Sequence, residues 1–429
     1  MKKIALFILL FCIFTIMLSA QGENLTVKVA ILGPGDPLYF WWGHIALVIE
    51  DSNTGRSLFY DYGIFSFDSE HFFYNFAFGR LLYSSGVSLT AANIEFYRRN
   101  NRSLAFYTLN FPPETRLKVK EIADSDMLPE NREYSYHHFR NNCSTRIIEI
   151  IDLATDGQFK EKFDNMQSRF TLREHVRRHI WFSPAPNWFL NFLMGQLIDR
   201  PITVWDDMFL PSEVAKNIMD FWYTDVNGVQ RKLVASEDSI QEIIESGGRP
   251  VVLEFPKSPW FQFLTFSIGL SVVFGFFFFL YHKNIRVGRI LAGISMSLCG
   301  LFFGLAGLLL YFMNICTDHD YTYQNANMFF CTPLLLAAFP AGIRYAFTKN
   351  PQKLVNSSEL LRLLWLMTVI GIFISMVVKI FPSCPINNTG FYQQNLAEQM
   401  LMLPLALLFT FQPVGLKACL EKIFMRKRI

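Results

Sequence analysis

The chain has 429 residues, enough for more than one domain, and a formal net charge of +3. That balance is too near neutral to argue for a nucleic-acid ligand. Hydrophobic residues make up 51% of the chain and aromatic residues 16%, and the apolar excess gathers beyond residue 256, dividing the chain in two.

Met1-Lys2-Lys3, an apolar run over 4–18 and Ser19-Ala20-Gln21 have the basic, apolar and small parts of a secretory signal. Cleavage is expected after Ala20, giving a signal segment 1–20; the alternative is an uncleaved anchor. Either way the segment that follows is exported. No cysteine follows the cleavage point, so a lipid-anchored N-terminus is not expected.

Residues 21–256 read as an exported α+β domain. Strands are expected over 24–32, 45–50, 58–65 and 104–111. The second and third are joined by Asp51-Ser52-Asn53-Thr54-Gly55-Arg56, a hairpin turn. A helix is expected over 144–154, with Ile147, Ile148, Ile151 and Leu153 on its buried side. No internal repeat or low-complexity segment is evident.

Cys143 is the only cysteine between the mature start and Cys299. It therefore has no disulfide partner within its own domain. A free thiol on the oxidising side of a membrane calls for a chemical use. The sequence puts it at the first turn of a helix, with Asn142 or Ser144 as the cap. Free N–H groups and the positive dipole end there favour a thiolate. The same groups can receive an oxyanion, and Asn142 can add a side-chain donor. A nucleophilic thiol needs an imidazole, and His44 opens a strand just after Gly43. The strand after it carries Tyr60-Asp61-Tyr62-Gly63, from which Asp61, then Tyr62, is expected to orient the imidazole. The alternative for Asp61 is a surface carboxylate.

Other histidines compete for the base role. His137 and His138 are neighbours of Cys143 on a chain entering a helix, and such neighbours seldom face it. His175 and His179 have zinc-like i, i+4 spacing but no evident third ligand, so a solvated basic helix is expected and no metal. His71 lies in an aromatic stretch and reads as packing or membrane contact. That stretch, 72–83, and Trp188–Met194 are either interfacial or ordinary core.

Five apolar stretches follow, over 260–281, 290–317, 321–343, 363–378 and 401–416, lengths near those that span a bilayer as helices. Lys283, Arg286 and Arg289 follow the first. Arg344, Lys349, Lys353 and Arg362 separate the third and fourth, and Lys417, Lys422, Arg426, Lys427 and Arg428 end the chain. The connections 316–325 and 381–399 hold no Lys or Arg. By the positive-inside rule, 21–256 lies outside, 257–429 is an all-α five-helix membrane domain and the C-terminus is cytoplasmic. Cys316 and Cys384 fall in the outward loops, either paired or as separate thiols.

Gly43-His44-Ile45-Ala46-Leu47-Val48 and Asn142-Cys143-Ser144-Thr145-Arg146 resemble the His and Cys motifs of circularly permuted NlpC-like, papain-fold enzymes, a group that includes lecithin:retinol acyltransferase. In that arrangement the His strand precedes the Cys helix, as here. More closely, the chain resembles the Lnb family of bacterial lipoprotein N-acyltransferases. The features that carry this are Trp42-Gly43-His44, Tyr60-Asp61-Tyr62-Gly63-Ile64-Phe65, Asn142-Cys143-Ser144-Thr145-Arg146, and Asp199-Arg200-Pro201 leading to Phe209-Leu210-Pro211, with His319 and Asn325-Ala326-Asn327 in the membrane half. The resemblance implies a circularly permuted NlpC/papain-like exported domain. It implies an acyltransferase with Cys143 as nucleophile, His44 as base and Asp61 as orienting group. Asn142, Tyr62, Arg146 and His319 become oxyanion or substrate-binding residues. The implied acyl donor is a membrane phospholipid. The acceptor is the α-amine of a lipidated apolipoprotein's N-terminal cysteine. No cofactor is implied, and the location is the bacterial inner membrane with the catalytic domain periplasmic.

Two rival readings use the same residues. One is a cell-envelope cysteine peptidase or amidase. The other is a non-enzymatic membrane receptor or transporter, which charges within the spans would favour.

Overall fold

The computed structural model describes residues 22–68, 70–241, 252–380 and 393–412. The signal segment, Cys384 and the closing basic cluster lie outside these residues. The chain divides into two compact units. The first holds residues up to His175 together with Pro201–Leu253; the second holds Val176–Arg200 and the chain from Glu254 on. The boundary expected at 256 thus omits a 176–200 excursion into the second unit.

In chain order the first unit contains β1 (Leu25–Leu32), β2 (His44–Asp51), β3 (Arg56–Ile64), α1 (Phe72–Ala77), β4 (Leu82–Leu89), α2 (Thr90–Arg99), β5 (Leu104–Leu109), α3 (Pro113–Asp126), β6 (Glu133–Ser135), α4 (Cys143–Ala154) and α5 (Gln158–Asp164). Helix α6 (Leu172–Ile180) crosses into the second unit, which takes α7 (Pro184–Leu193). The first unit resumes with α8 (Val204–Asp207), α9 (Pro211–Met219), β7 (Trp222–Thr224), β8 (Gln230–Lys232) and β9 (Val234–Gln241). Seven strands form one sheet in the order β6-β4-β3-β2-β1-β5-β9, every neighbour antiparallel.

Strand alternation explains the two faces. Val27, Val29, Ile45, Leu47, Tyr60 and Tyr62 point to one side and pack with Ile147, Ile148 and Ile151 of α4. Ala30, Leu32, Ala46, Val48 and Phe59 point to the other, where Tyr97 of α2 joins them. In α4 the buried face includes Ile150 rather than Leu153, which is 52% exposed. The unit is mixed α and β, as expected from the sequence.

The second unit is helical: α10 (Trp260–His282), α11 (Arg286–Cys316), α12 (Ala338–Phe347), α13 (Pro351–Ile380) and α14 (Leu396–Thr410). Among the described residues three of these, α10, α11 and α13, are long and apolar enough to cross a membrane. The other two expected spans are shorter. The stretch 321–343 is broken into 3-10 turns and α12, because Asn325 and Asn327 are turned inward to hold backbone carbonyls of 192–193. The last described helix, α14, has 15 residues, with Pro404 inside it. Helices α11 and α12 approach closely at Gly293 and Gly342, where a Cβ on either would come within 2.7 Å of the other's backbone. Small residues permit such backbone contact between apolar helices. Phe192 and Leu193 of α7 enter this unit's core beside Phe303 and Trp365, so the C-terminal part of Trp188–Met194 is core, while Phe189 is 42% exposed.

The expectation of a solvated basic helix at 173–179 does not hold. Arg173, His175, Arg177 and His179 are all buried. His175 meets Asp207 within the first unit, Nε2 to Oδ1 at 2.6 Å. Arg177, in the second, donates to Asn191 Oδ1 at 2.8 Å and to Gln394 Oε1 at 2.7 Å. Among the described residues no three His, Cys, Asp or Glu side chains group to hold a metal ion.

Candidate active site

His44 is set by the residue before it. Gly43 has φ +77, and a Cβ there would lie 2.8 Å from the Leu32 carbonyl oxygen. Glycine alone makes that turn without strain or collision. Across the sheet, Asp61 of β3 pairs with Ala46 of β2 on one side and Gly86 of β4 on the other. Both neighbours are small, which leaves the space above Asp61 open. His44, two residues from Ala46 and on the same face, fills it. Its Nε2 lies 2.6 Å from Asp61 Oδ1. A carboxylate only accepts, so Nε2 carries the proton and Nδ1 remains for another partner. Cys143 is the ring's other partner, acting on it by charge and by side-chain hydrogen bonding.

Burial is the strongest single influence on the imidazole and disfavours its charge. The Asp61 carboxylate and Cys143, by charge and by hydrogen bonding, outweigh it and hold His44 well above the usual imidazole range. The side chains of His44 and Asp61 are 18% and 23% exposed, and Cys143 is half-buried.

Cys143 is the first residue of α4. The N–H groups of Cys143 and Ser144 point out of the helix start, where no carbonyl of the helix can accept them. The backbone of β3 passes against the thiol at a bulge between Tyr62 and Ile64. There Gly63 has φ +93, and a Cβ would sit 3.9 Å from Cys143 Cβ.

Asn142 is the cap, but its side chain is not a free donor. Its Oδ1 accepts from Thr145 N–H at 3.0 Å, while Nδ2 donates to His138 O at 2.8 Å and Phe209 O at 2.9 Å. Both amide hydrogens are taken by carbonyls, so the expected oxyanion role of this side chain is corrected to a structural one. Tyr62 is corrected as well. It follows Asp61 on the strand and therefore faces the opposite side of the sheet. It is 1% exposed, and its hydroxyl donates to Asp126 Oδ2 at 2.9 Å. Burial first, then Asp126, pushes its phenol far above the usual range.

Arg146, one turn beyond Cys143, is half-buried with its Cζ 4.5 Å from the centre of the Tyr134 ring. His319 belongs to the second unit, where it is buried and pairs with the Tyr321 hydroxyl at 2.7 Å. Cys316 is exposed and has no disulfide partner among the described residues; its suggested partner, Cys384, is outside them.

Sequence reasoning missed Tyr134. It lies on β6, is 8% exposed, and its hydroxyl has no hydrogen-bond partner among the described residues. That hydroxyl is 3.8 Å from the position of a Cβ on Gly63, the same point that lies 3.9 Å from Cys143 Cβ. No local pattern marks it, since β6 spans only three residues. The support behind Asn142 was also missed. The ring of Phe209, whose carbonyl holds Asn142, packs edge-on against His175 with centroids 5.8 Å apart, and Asp207 accepts from both His175 and Ser168 Oγ.

Residues 17–178 match the family model described as the Lnb N-terminal periplasmic domain. No curated protein and no solved structure matches the chain.

Proposed function

We propose that this Lnb-family protein, identified as such by the match over residues 17–178, is a cysteine-dependent lipoprotein N-acyltransferase. It is a membrane protein with a periplasmic domain. The observation that carries the reading is one imidazole bonded to both Asp61 and Cys143. That is the nucleophile–base–orienter set an acyl transfer through sulfur requires. The order of the chain, His44 strand before Cys143 helix, supports the circularly permuted papain-like fold.

The thiolate attacks an ester carbonyl of a membrane phospholipid. The N–H groups at the start of α4 receive the oxyanion. Protonated His44 gives its proton to the departing lysophospholipid alkoxide, and a thioester remains on Cys143. The α-amine of a lipidated apolipoprotein then attacks, His44 takes the amine's proton, and an amide forms as the thiolate leaves. The membrane-length helices favour a substrate held in a bilayer over a cell-wall peptide. A multi-pass inner-membrane placement, with this site on the periplasmic side, completes the reading.

The test is intact-protein mass after incubation with phospholipid vesicles. An acyl adduct on the wild-type chain that is absent from Cys143→Ala supports the reading. No adduct, or one that persists in Cys143→Ala, refutes it. Adding a diacylglyceryl peptide with a free α-amine should discharge the adduct into an N-acyl product.

A further inference from the structure

The correction at Asn142 leaves a chemical gap. A tetrahedral intermediate on Cys143 bears a negative oxygen. The backbone N–H groups of α4 supply donors on one side, and Asn142 supplies none, because both its amide hydrogens are engaged. Of the buried polar groups near the thiol that lack a partner among the described residues, Ser144 Oγ, Arg146 Nε and Tyr134 Oη, the Tyr134 hydroxyl is the one placed beside Gly63 with Cys143. Tyr134 is more than nine-tenths buried, yet its hydroxyl has no partner among the described residues. Leaving such a group unsatisfied is costly, and one in a native structure calls for an explanation. The hydroxyl and Cys143 Cβ both lie within 4 Å of one point beside Gly63. Glycine there places no side chain between them. Arg146 also stacks over the Tyr134 ring at 4.5 Å. Burial first, and the Cys143 charge, push the Tyr134 phenol far above its usual range, and the Arg146 charge works against them, toward a more polarised O–H.

We propose that Tyr134 is a catalytic residue, the side-chain donor to the oxyanion formed when Cys143 attacks an acyl carbonyl, with Arg146 as its positioning residue. This deepens the acyl-transfer reading and rests on it. In the step, the sulfur of Cys143 forms the bond to the carbonyl carbon and the C=O π pair moves onto oxygen. Tyr134 donates a hydrogen bond to that oxygen and keeps its proton. When the intermediate collapses, the pair returns to re-form C=O, the ester C–O bond breaks, and His44 protonates the leaving alkoxide. The hydroxyl is without a partner at rest because its partner exists only during the reaction.

The experiment uses the full-length protein and the variant Tyr134→Phe, with two reagents aimed at the same sulfur. The first is a p-nitrophenyl ester, whose acylation of Cys143 passes through a tetrahedral oxyanion. The second is iodoacetamide, which alkylates the sulfur by displacement and forms no oxyanion. Both products are read on the Cys143 peptide by mass. Removing one preorganised donor is expected to slow acylation by roughly 100- to 1,000-fold. Alkylation should stay within about twofold, and the melting temperature should hold or rise, since a buried hydroxyl without a partner has been removed. Arg146→Met should slow acylation less than Tyr134→Phe, again with alkylation preserved. Unchanged acylation in Tyr134→Phe overturns the proposal. So does a parallel fall in both reactions, which would mean a general effect on the thiol. So does a marked loss of thermal stability, which would make the hydroxyl structural. Because the donor is a soluble activated ester, the result does not depend on phospholipid being the natural donor. If phospholipid fails while the ester acylates Cys143 and Tyr134→Phe slows that reaction, the donor assignment falls and Tyr134 stands. If no ester acylates the wild-type thiol, both fall.

Discussion

The Asn142 side chain joins three segments, and substituting it separates a structural role from a catalytic one. In Asn142→Ala the start of α4 loses its cap, worth about 1 kcal/mol. The carbonyls of His138 and Phe209 lose their donors. Each is at least partly buried, and an abandoned buried acceptor costs about 1–3 kcal/mol. Together the loss is roughly 3–7 kcal/mol, a large share of the ~5–15 kcal/mol of a typical domain. For a unit of this size that is a fall of roughly 6–28 °C in melting temperature, measured on the purified full-length protein by tryptophan fluorescence. Asn142→Asp sharpens the test. Aspartate keeps the cap acceptor and suits the helix dipole, but it donates nothing and sets a carboxylate oxygen against two carbonyl oxygens. If the clamp to His138 and Phe209 matters, Asn142→Asp is as unstable as Asn142→Ala or worse. Wild-type melting in Asn142→Asp would refute this reasoning. Full stability with lost acylation in Asn142→Ala would restore the oxyanion role denied to this side chain above.

Asp61→Asn removes the carboxylate that supports a charged His44. Burial, the strongest opposing influence, then goes less answered, so the imidazole pKa should fall and the rate of Cys143 acylation should drop on the order of 10⁴-fold. The linkage has a definite sign. His44 is raised in the folded state, so its contribution to stability is complete below the ordinary imidazole pKa of about 6.5 and is lost as pH rises through the raised value. The stability gap between wild type and Asp61→Asn should therefore be widest near about pH 6 and narrow on the alkaline side; a gap that widens with rising pH would contradict it. Gly43→Ala combines a left-handed φ with a 2.8 Å approach to Leu32 O, and should cost about 2–4 kcal/mol by chemical denaturation. Gly63→Ala meets nothing closer than 3.7 Å, so only the backbone penalty of about 1–2 kcal/mol applies; equal costs would show that the collision at Gly43 is relieved elsewhere. A fragment of residues 22–256, cut at the boundary the sequence suggests, carries 176–200 without the helices it packs on. Phe192 and Leu193, 1% and 7% exposed in the whole chain, would meet water, and the fragment should aggregate on size-exclusion chromatography where the full chain in detergent does not; a monodisperse fragment would refute this.

The thiol, the imidazole and the carboxylate were legible because each is a chemically marked residue at a marked place. Cys143 begins an amphipathic helix, His44 follows a glycine into a strand, and Asp61 lies on the next strand of a hairpin. What stayed hidden depends on partners far along the chain. Asn142 reads as a cap, but the use of its amide hydrogens needs Phe209 O, 67 residues away. The cluster Arg173–His179 reads as a wet helix face, yet Arg177 is satisfied by Gln394, 217 residues on. A buried guanidinium with such partners carries no local signature. Hydropathy alone also reads 321–343 as one span. The two asparagines that break it are few against many apolar neighbours, and their bonds to the 192–193 carbonyls are invisible to a sliding window. Strand β4, LYSSGVSL, has too many small polar residues to announce itself, and β6 is too short.

The electrostatics of His44 bear on which nucleophile would finish the proposed reaction. The dyad is not sealed: the imidazole and its carboxylate keep 18% and 23% of their surface exposed. Within this unit, water is therefore not excluded by burial alone, and the choice between hydrolysis and transfer must rest partly on proton chemistry. Proton transfer is most effective when the base is matched to the group it deprotonates and to the working pH. An α-amine has an ordinary pKa of about 7.7–8.0, above that of an ordinary imidazole at about 6.5. An unperturbed histidine is thus too weak a base to hold the proton of an attacking ammonium. Asp61 and Cys143 raise His44 well above the ordinary imidazole range against the opposing effect of burial, the direction that suits an amine. Once the thioester has formed, the negative charge on sulfur is gone and only Asp61 sustains that shift. In the proposed reaction the carboxylate would therefore do more than orient the ring: it would keep the base strong in the half-reaction where an amine, rather than water, has to be activated.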